Sequence, residues 1–189
     1  MHVPPREYWS FRAISRATLP TLMLLTAVAV GSGLILGSFE AVLYRYPSLL
    51  ILVPVTIGTA GNLGSLLASR LSTAFHLGTL SFHPADEQLG GHSLATVALA
   101  LTLFPLVGAG AWLLALLTGR VVLPLWRVLA IATVSGGGLA LVAILATVLT
   151  TYGAYRTGLD PDDVVIPVVT VTADVFGVIT LFGAVVLFT

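Results

Sequence analysis

The run PSLLILVPVTIGTAGNLGSLLAS, Pro47 to Ser69, contains no ionisable side chain. A helix of about 20 mostly apolar residues crosses the hydrocarbon core of a bilayer, and this run is long enough. Its middle is unusual. IGTAGNLGS, Ile57 to Ser65, places three glycines and one asparagine at mid-span. A polar amide and so much bare backbone at that depth call for a reason.

The rest of the chain fits a lipid solvent. Of its 189 residues 57% are hydrophobic and only 8% are Asp, Glu, Lys or Arg, and the mean hydropathy is +1.05. Soluble domains carry about 25% charged residues, so too little charge is present to coat a water-facing surface. A net charge of zero argues against a nucleic-acid partner. The absence of Cys excludes disulfides and thiolate metal sites.

Four further apolar stretches join the first, giving spans at about 18–39, 48–69, 94–118, 123–149 and 164–188. The first follows Arg6, Arg12 and Arg16 but is too long for a signal-peptide core. The apolar runs are continuous and do not alternate, which excludes a barrel and leaves helices. The expected fold is therefore an all-α polytopic membrane protein with a short cytoplasmic segment, 1–17, and one five-helix domain, 18–189. With the N-terminus inside, Arg6, Arg12, Arg16, Arg70 and Arg156 lie inside and Arg45, Arg120 and Arg127 outside. This bias puts the N-terminus in the cytoplasm and the C-terminus outside. The sizeable polar loop runs from His76 to His92.

One charged residue lies deep in a span: Asp174, in PVVTVTADVFG. A carboxylate there is costly and reads as functional. At 100° per residue, Pro167, Thr170, Asp174 and Gly177 share one sector of the fifth span. The face thus combines an acid, a hydroxyl, a carbonyl freed by proline, and the space left by glycine. Asp174 lies about 15 Å from the inner end of its span and Asn62 about 12 Å from the inner end of the second. If the two helices pack together, amide and carboxylate meet in one polar site. Gly58, Gly61, Gly64 and Ser65 thin the second span so that a neighbour or a hydrated ion can come close.

Other features carry less. Gly136, Gly137 and Gly138 suit tight packing or a kink, and Gly33 and Gly37 form a G-x-x-x-G. Glu40 and Arg45 are placed to pair at the outer edge. His76, His83 and His92 flank Asp86 and Glu87 without the spacing of a zinc site. Asp160, Asp162 and Asp163 suit capping of the fifth helix, or a vestibule that attracts cations. No H-E-x-x-H, G-x-S-x-G or second intramembrane aspartate is present, so no enzyme is expected.

FEAVLYRYPSLLILVPVTIGTAGNLGS and GLDPDDVVIPVVTVTADVFG together resemble the transmembrane domain of the MgtE-type magnesium channels, and are similar to the related eukaryotic solute carriers for magnesium. The landmarks are Phe39-Glu40, Pro54, Gly61-Asn62-x-Gly64-Ser65, Asp160-Pro161, Pro167, Thr170, Thr172, Asp174 and Gly177. The resemblance implies five helices per subunit and a homodimer with its pore on the two-fold axis. It implies a magnesium site around Asp174, with Gly61 and Asn62 lining the same path. Leu66 stands where bacterial members often have Gln. Those members also carry a large cytoplasmic sensor region ahead of the membrane domain, against about 17 residues here. The eukaryotic relatives hold two five-helix units in one chain, so one unit needs a second, identical or homologous.

The expected function is divalent cation transport across the cell membrane, with Mg2+ as the transported ion and no cofactor. The metal-facing residues are Asp174, Asn62, Gly61 and Thr170. Gly58, Gly64, Ser65, Pro167 and Gly177 line the path or pack beside it. Two alternatives stand: transport of Co2+, Zn2+ or Mn2+, against which the oxygen-only ligand set argues, and a non-conducting membrane subunit or scaffold.

Overall fold

The computed structural model describes residues 11–81 and 86–189. Among them six helices and no strand occur: α1 (Phe11–Gly37), α2 (Glu40–Arg45), α3 (Pro47–His76), α4 (Glu87–Leu117), α5 (Leu125–Thr157) and α6 (Pro161–Phe188). All but the short α2 are long and apolar enough to cross a membrane. The five expected spans are therefore present. Much of the expected N-terminal segment, 1–10, lies outside the described residues.

The long helices alternate in direction. Close contacts between α4 and α5 pair Phe104 with Gly136 and Gly108 with Ala132, so these two form an antiparallel hairpin. The hairpin turns at Gly119, whose φ of +68° suits a residue without Cβ. The Trp112 indole N–H closes the turn by donating to the Leu123 carbonyl at 3.2 Å. Gly158 ends α5 in the same left-handed conformation. α1 runs parallel to α6: Thr18 and Thr21 lie near Asp163 and Pro167, and Phe39 stacks on Phe182 at 3.7 Å. The core lies among α3, α4, α5 and α6, with Leu52, Val128, Ile131 and Leu181 almost wholly buried. α1 packs mainly on α6 and leaves Met23, Leu24 and Leu34 facing outward. In a membrane these meet acyl chains.

The helices outrun the apolar stretches. α3 continues to His76, α5 to Thr157, and α4 starts at Glu87 instead of near Leu94. The expected His76–His92 loop is thus shorter, and His92 sits within α4. Asp86 sets the new start. One of its carboxylate oxygens accepts from the amides of Gln88 (2.8 Å) and Leu89 (3.2 Å). The other accepts from the Ser81 amide (2.6 Å) and hydroxyl (2.7 Å). Polar sequence can thus extend a helix beyond the lipid once its first N–H groups are capped. The Glu40–Arg45 pair is not formed among the described residues. Arg45 instead lies over the Tyr46 ring at 5.5 Å, a contact that keeps the cation at the water interface.

The hydrogen bonds from Ser81, reinforced by those from Leu89 and Gln88, lower the Asp86 carboxyl from its ordinary value of 3.8 to about 2. A depressed carboxylate stabilises the fold fully above its unfolded value, and this contribution is lost as pH falls through about 2. Thermal melting in detergent should show a constant deficit for Asp86→Ala between about pH 5 and pH 8. The deficit should shrink between about pH 4 and pH 2.

Candidate functional site

The site is built on the α3–α6 contact, and its register follows from the glycines. A Cβ at Gly177 would lie 2.5 Å from Ile57 Cγ1, and one at Gly61 would lie 3.9 Å from Ala173 Cβ. A Cβ at Gly64 would overlap the Val169 side chain. The partner number falls along α6 as the number rises along α3, so the two helices are antiparallel. In this register Asp174 lies level with Ala60. Asn62 is only two residues further along α3, about 3 Å of helical rise. Amide and carboxyl are therefore at nearly one depth, on neighbouring helices.

They also lie on one flank of the helix pair. Asn62 follows the contact residue Gly61, and Asp174 follows the contact residue Ala173. Each step rotates the side-chain direction by about 100°. Because the helices run in opposite directions, the two rotations carry both side chains to the same side of the pair. α5 covers the opposite flank: Ala143 and Thr147 lie 3.4 Å and 3.7 Å from where a Gly64 Cβ would be. The Asn62 flank is open in the single chain. Asn62, Gly58 and Thr170 are exposed, and Asp174, Ser65 and Pro167 are half-buried. Among the described residues the Asp174 carboxyl has no hydrogen-bonding or basic partner.

The remaining expected residues divide by place. Gly58 meets nothing within 4 Å and leaves open space one turn from Asn62. Gly61, Gly64 and Gly177 are buried and serve the helix contact itself. The Thr170 hydroxyl donates to the Ile166 carbonyl at 3.0 Å, so its lone pairs remain to accept. Pro167 has no N–H, which frees the Asp163 carbonyl at the edge of the same face. Asp163 and Pro167, with Asp160 and Thr18, line a cavity of about 450 Å³ between α1 and the start of α6. Of the histidines, His83 lies outside the described residues. Among those described, no three His, Asp or Glu side chains are grouped to hold a metal.

Sequence reading overlooked Thr147. Its buried hydroxyl donates to Ala143 O at 2.8 Å and lies 3.4 Å from Gly64 O, bridging α5 to the thinned part of α3. The repeated hydroxyls in TVLTTYG were the available signal. Also overlooked was Thr56, wholly buried on α3 with its hydroxyl unbonded.

Five helices long and apolar enough to cross a bilayer make this an integral membrane protein. Residues 53–184 match the family model of MgtE, described as a divalent cation transporter. The chain belongs to this family, one of transporters and not of enzymes. It is also 28% identical over 175 residues to solute carrier family 41 member 3 of Mus musculus. The match covers 89% of this chain and 35% of that relative, so the chain spans about a third of its length.

The α3–α6 contact makes a prediction of its own. Gly64→Ala pushes a methyl group into Val169 and should destabilise by about 1–3 kcal/mol. Val169→Ala should relieve much of that loss. A double-mutant cycle on melting temperature reads the coupling, and simple additivity would mean that the two residues do not touch.

Proposed function

We propose that the chain carries Mg2+ across the cell membrane along the open flank of α3 and α6. The observation that carries this reading is the placement of Asp174 and Asn62 at one depth and on one side of that helix pair. Membership of a divalent cation transporter family supports it. One chain lines only one side of such a path. A second copy, related by a two-fold axis, supplies the other side and a second Asp174. A homologous five-helix unit could serve equally. The two carboxylates then balance one divalent ion, which also lets both stay ionised beside each other.

Magnesium dehydrates reluctantly and is commonly held through its waters by one or two carboxylates. Asn62 and the Thr170 oxygen suit contacts to that water shell. At an effective dielectric of about 20 and roughly 5 Å through one water layer, each carboxylate attracts the ion by about 7 kcal/mol before desolvation. Each 1.4 kcal/mol retained changes occupancy tenfold. In this reading the N-terminus is cytoplasmic, as the arginine bias indicates, and the cavity beside Asp160 and Asp163 lies at the inner mouth.

In liposomes loaded with a magnesium-sensitive dye, Asp174→Asn should fold normally and lose at least about tenfold in flux. Asp174→Glu should keep partial flux. Wild-type flux from Asp174→Asn, with unchanged or better stability, would show a structural aspartate and sink the reading. Co2+, Zn2+ and Mn2+ in the same assay test the ion. For assembly, the mass in mild detergent should equal two chains plus bound detergent. A monomer that transports at the wild-type rate would refute the shared path.

A further inference from the structure

The bundle end that carries the C-terminus of α3 and the N-terminus of α4 holds a second cavity, of about 370 Å³. It shares no lining residue with the α3–α6 flank, and Ser69 and Thr73 lie about two and three turns beyond Asn62 on the same face of α3. Ser69, Arg70 and Thr73 line it from α3, and Gln88 and His92 from α4. Ser69 and Thr73, like Gln88 and His92, are four residues apart, so each helix turns one face to the cavity.

The lining is rich in donors and, among the described residues, contains no carboxylate. The Thr73 hydroxyl donates to Ser69 O at 2.9 Å. This leaves the Arg70 guanidinium, the Ser69 hydroxyl, the Gln88 amide and the His92 ring to serve a bound group. The nearby Asp86 carboxylate is taken up by Ser81 and the first amides of α4. Among the described residues Arg70 has no acidic partner. A cation with three neighbouring donors and no acid among the described lining residues selects an anion. A phosphate ester fits best, because guanidinium binds its oxygens in pairs.

Depth identifies the source of that phosphate. At the same end, Phe75 meets Tyr155 edge-on at 5.4 Å and Arg156 lies over the Tyr152 ring at 6.0 Å. Tyrosine and snorkelling arginine mark the headgroup level of a membrane. Leu77 adds an apolar wall beside Arg70, suited to glycerol and the first acyl carbons. We propose that this cavity is a binding site for the phosphate group of an anionic phospholipid.

Native mass spectrometry of the full chain in detergent, titrated with dioleoylphosphatidylglycerol or dioleoylphosphatidylcholine, tests this. The wild type should retain phosphatidylglycerol in preference to phosphatidylcholine. Arg70→Gln should weaken that retention about tenfold, whereas Arg120→Gln at the other end of the bundle should not. Thr73→Leu fills the cavity without changing charge and should give the same loss, and it decides the matter if Arg70→Gln does not fold. Inorganic phosphate that displaced the lipid at millimolar concentration would overturn the lipid as source in favour of a free anion. Failure to displace it supports the lipid. Retention equal to wild type in Arg70→Gln or Thr73→Leu, or an equal loss in Arg120→Gln, would overturn the site.

Discussion

The close approach of α3 to α6 is the contact on which the rest depends. Between membrane helices no hydrophobic force favours association, since lipid is as apolar as leucine. What holds them is van der Waals contact, and that requires backbones to come near. Gly61, Gly64 and Gly177 remove the side chains that would keep α3 and α6 apart, and Val169, Ala173 and Ile57 fill the space. The polar residues next to these contacts inherit their depth and direction. The glycine-rich asparagine segment is therefore one device: glycines set the approach, and the residue after Gly61 turns its amide to the open flank.

The same principle operates on the other side of the molecule. Phe104 of α4 lies over Gly136 of α5, and a Cβ at Gly108 would come within 2.9 Å of Ala132. α5 then rests on α3 and α6 through Ala143, Thr147 and Leu139. The small residues thus build a tight unit of α3 to α6 that buttresses one flank of the α3–α6 pair. The opposite flank keeps its polar groups uncovered. α1 sits outside this unit, and its Gly33 and Gly37 meet nothing within 4 Å. Within the single chain this G-x-x-x-G pattern meets no other helix, unlike the glycines of α3 and α6.

The two ends of the bundle work by different physics from the middle. There the backbone can meet water, so helices end where caps allow and not where hydrophobicity falls. Asp86 starts α4 well before its apolar run, and Gly158 stops α5 well after its own. These extensions carry charged and aromatic residues at headgroup level, and they place Arg70 beside His92 across a cavity that neither apolar stretch foreshadows.

The sequence alone determined the solvent and the number of spans, and it singled out Asp174 as the one acid deep in a span. Those properties rest on composition, on run length and on the cost of a buried charge, which are local or additive. It also carried the family resemblance, through residues such as Gly61-Asn62 and Asp174. Tertiary structure decided which glycines do which work. Gly61 and Gly64 are buried in the helix contact while Gly58 is open, although all three lie in the one run IGTAGNLGS. It decided, too, that Asn62 and Asp174 share a flank as well as a depth. Span length could suggest the common depth, but the flank depends on the direction and rotation of one helix against another. Those are fixed by the packing of side chains far apart in the chain, such as Ile57 on Gly177 and Val169 on Gly64. No periodicity along a single helix contains that information.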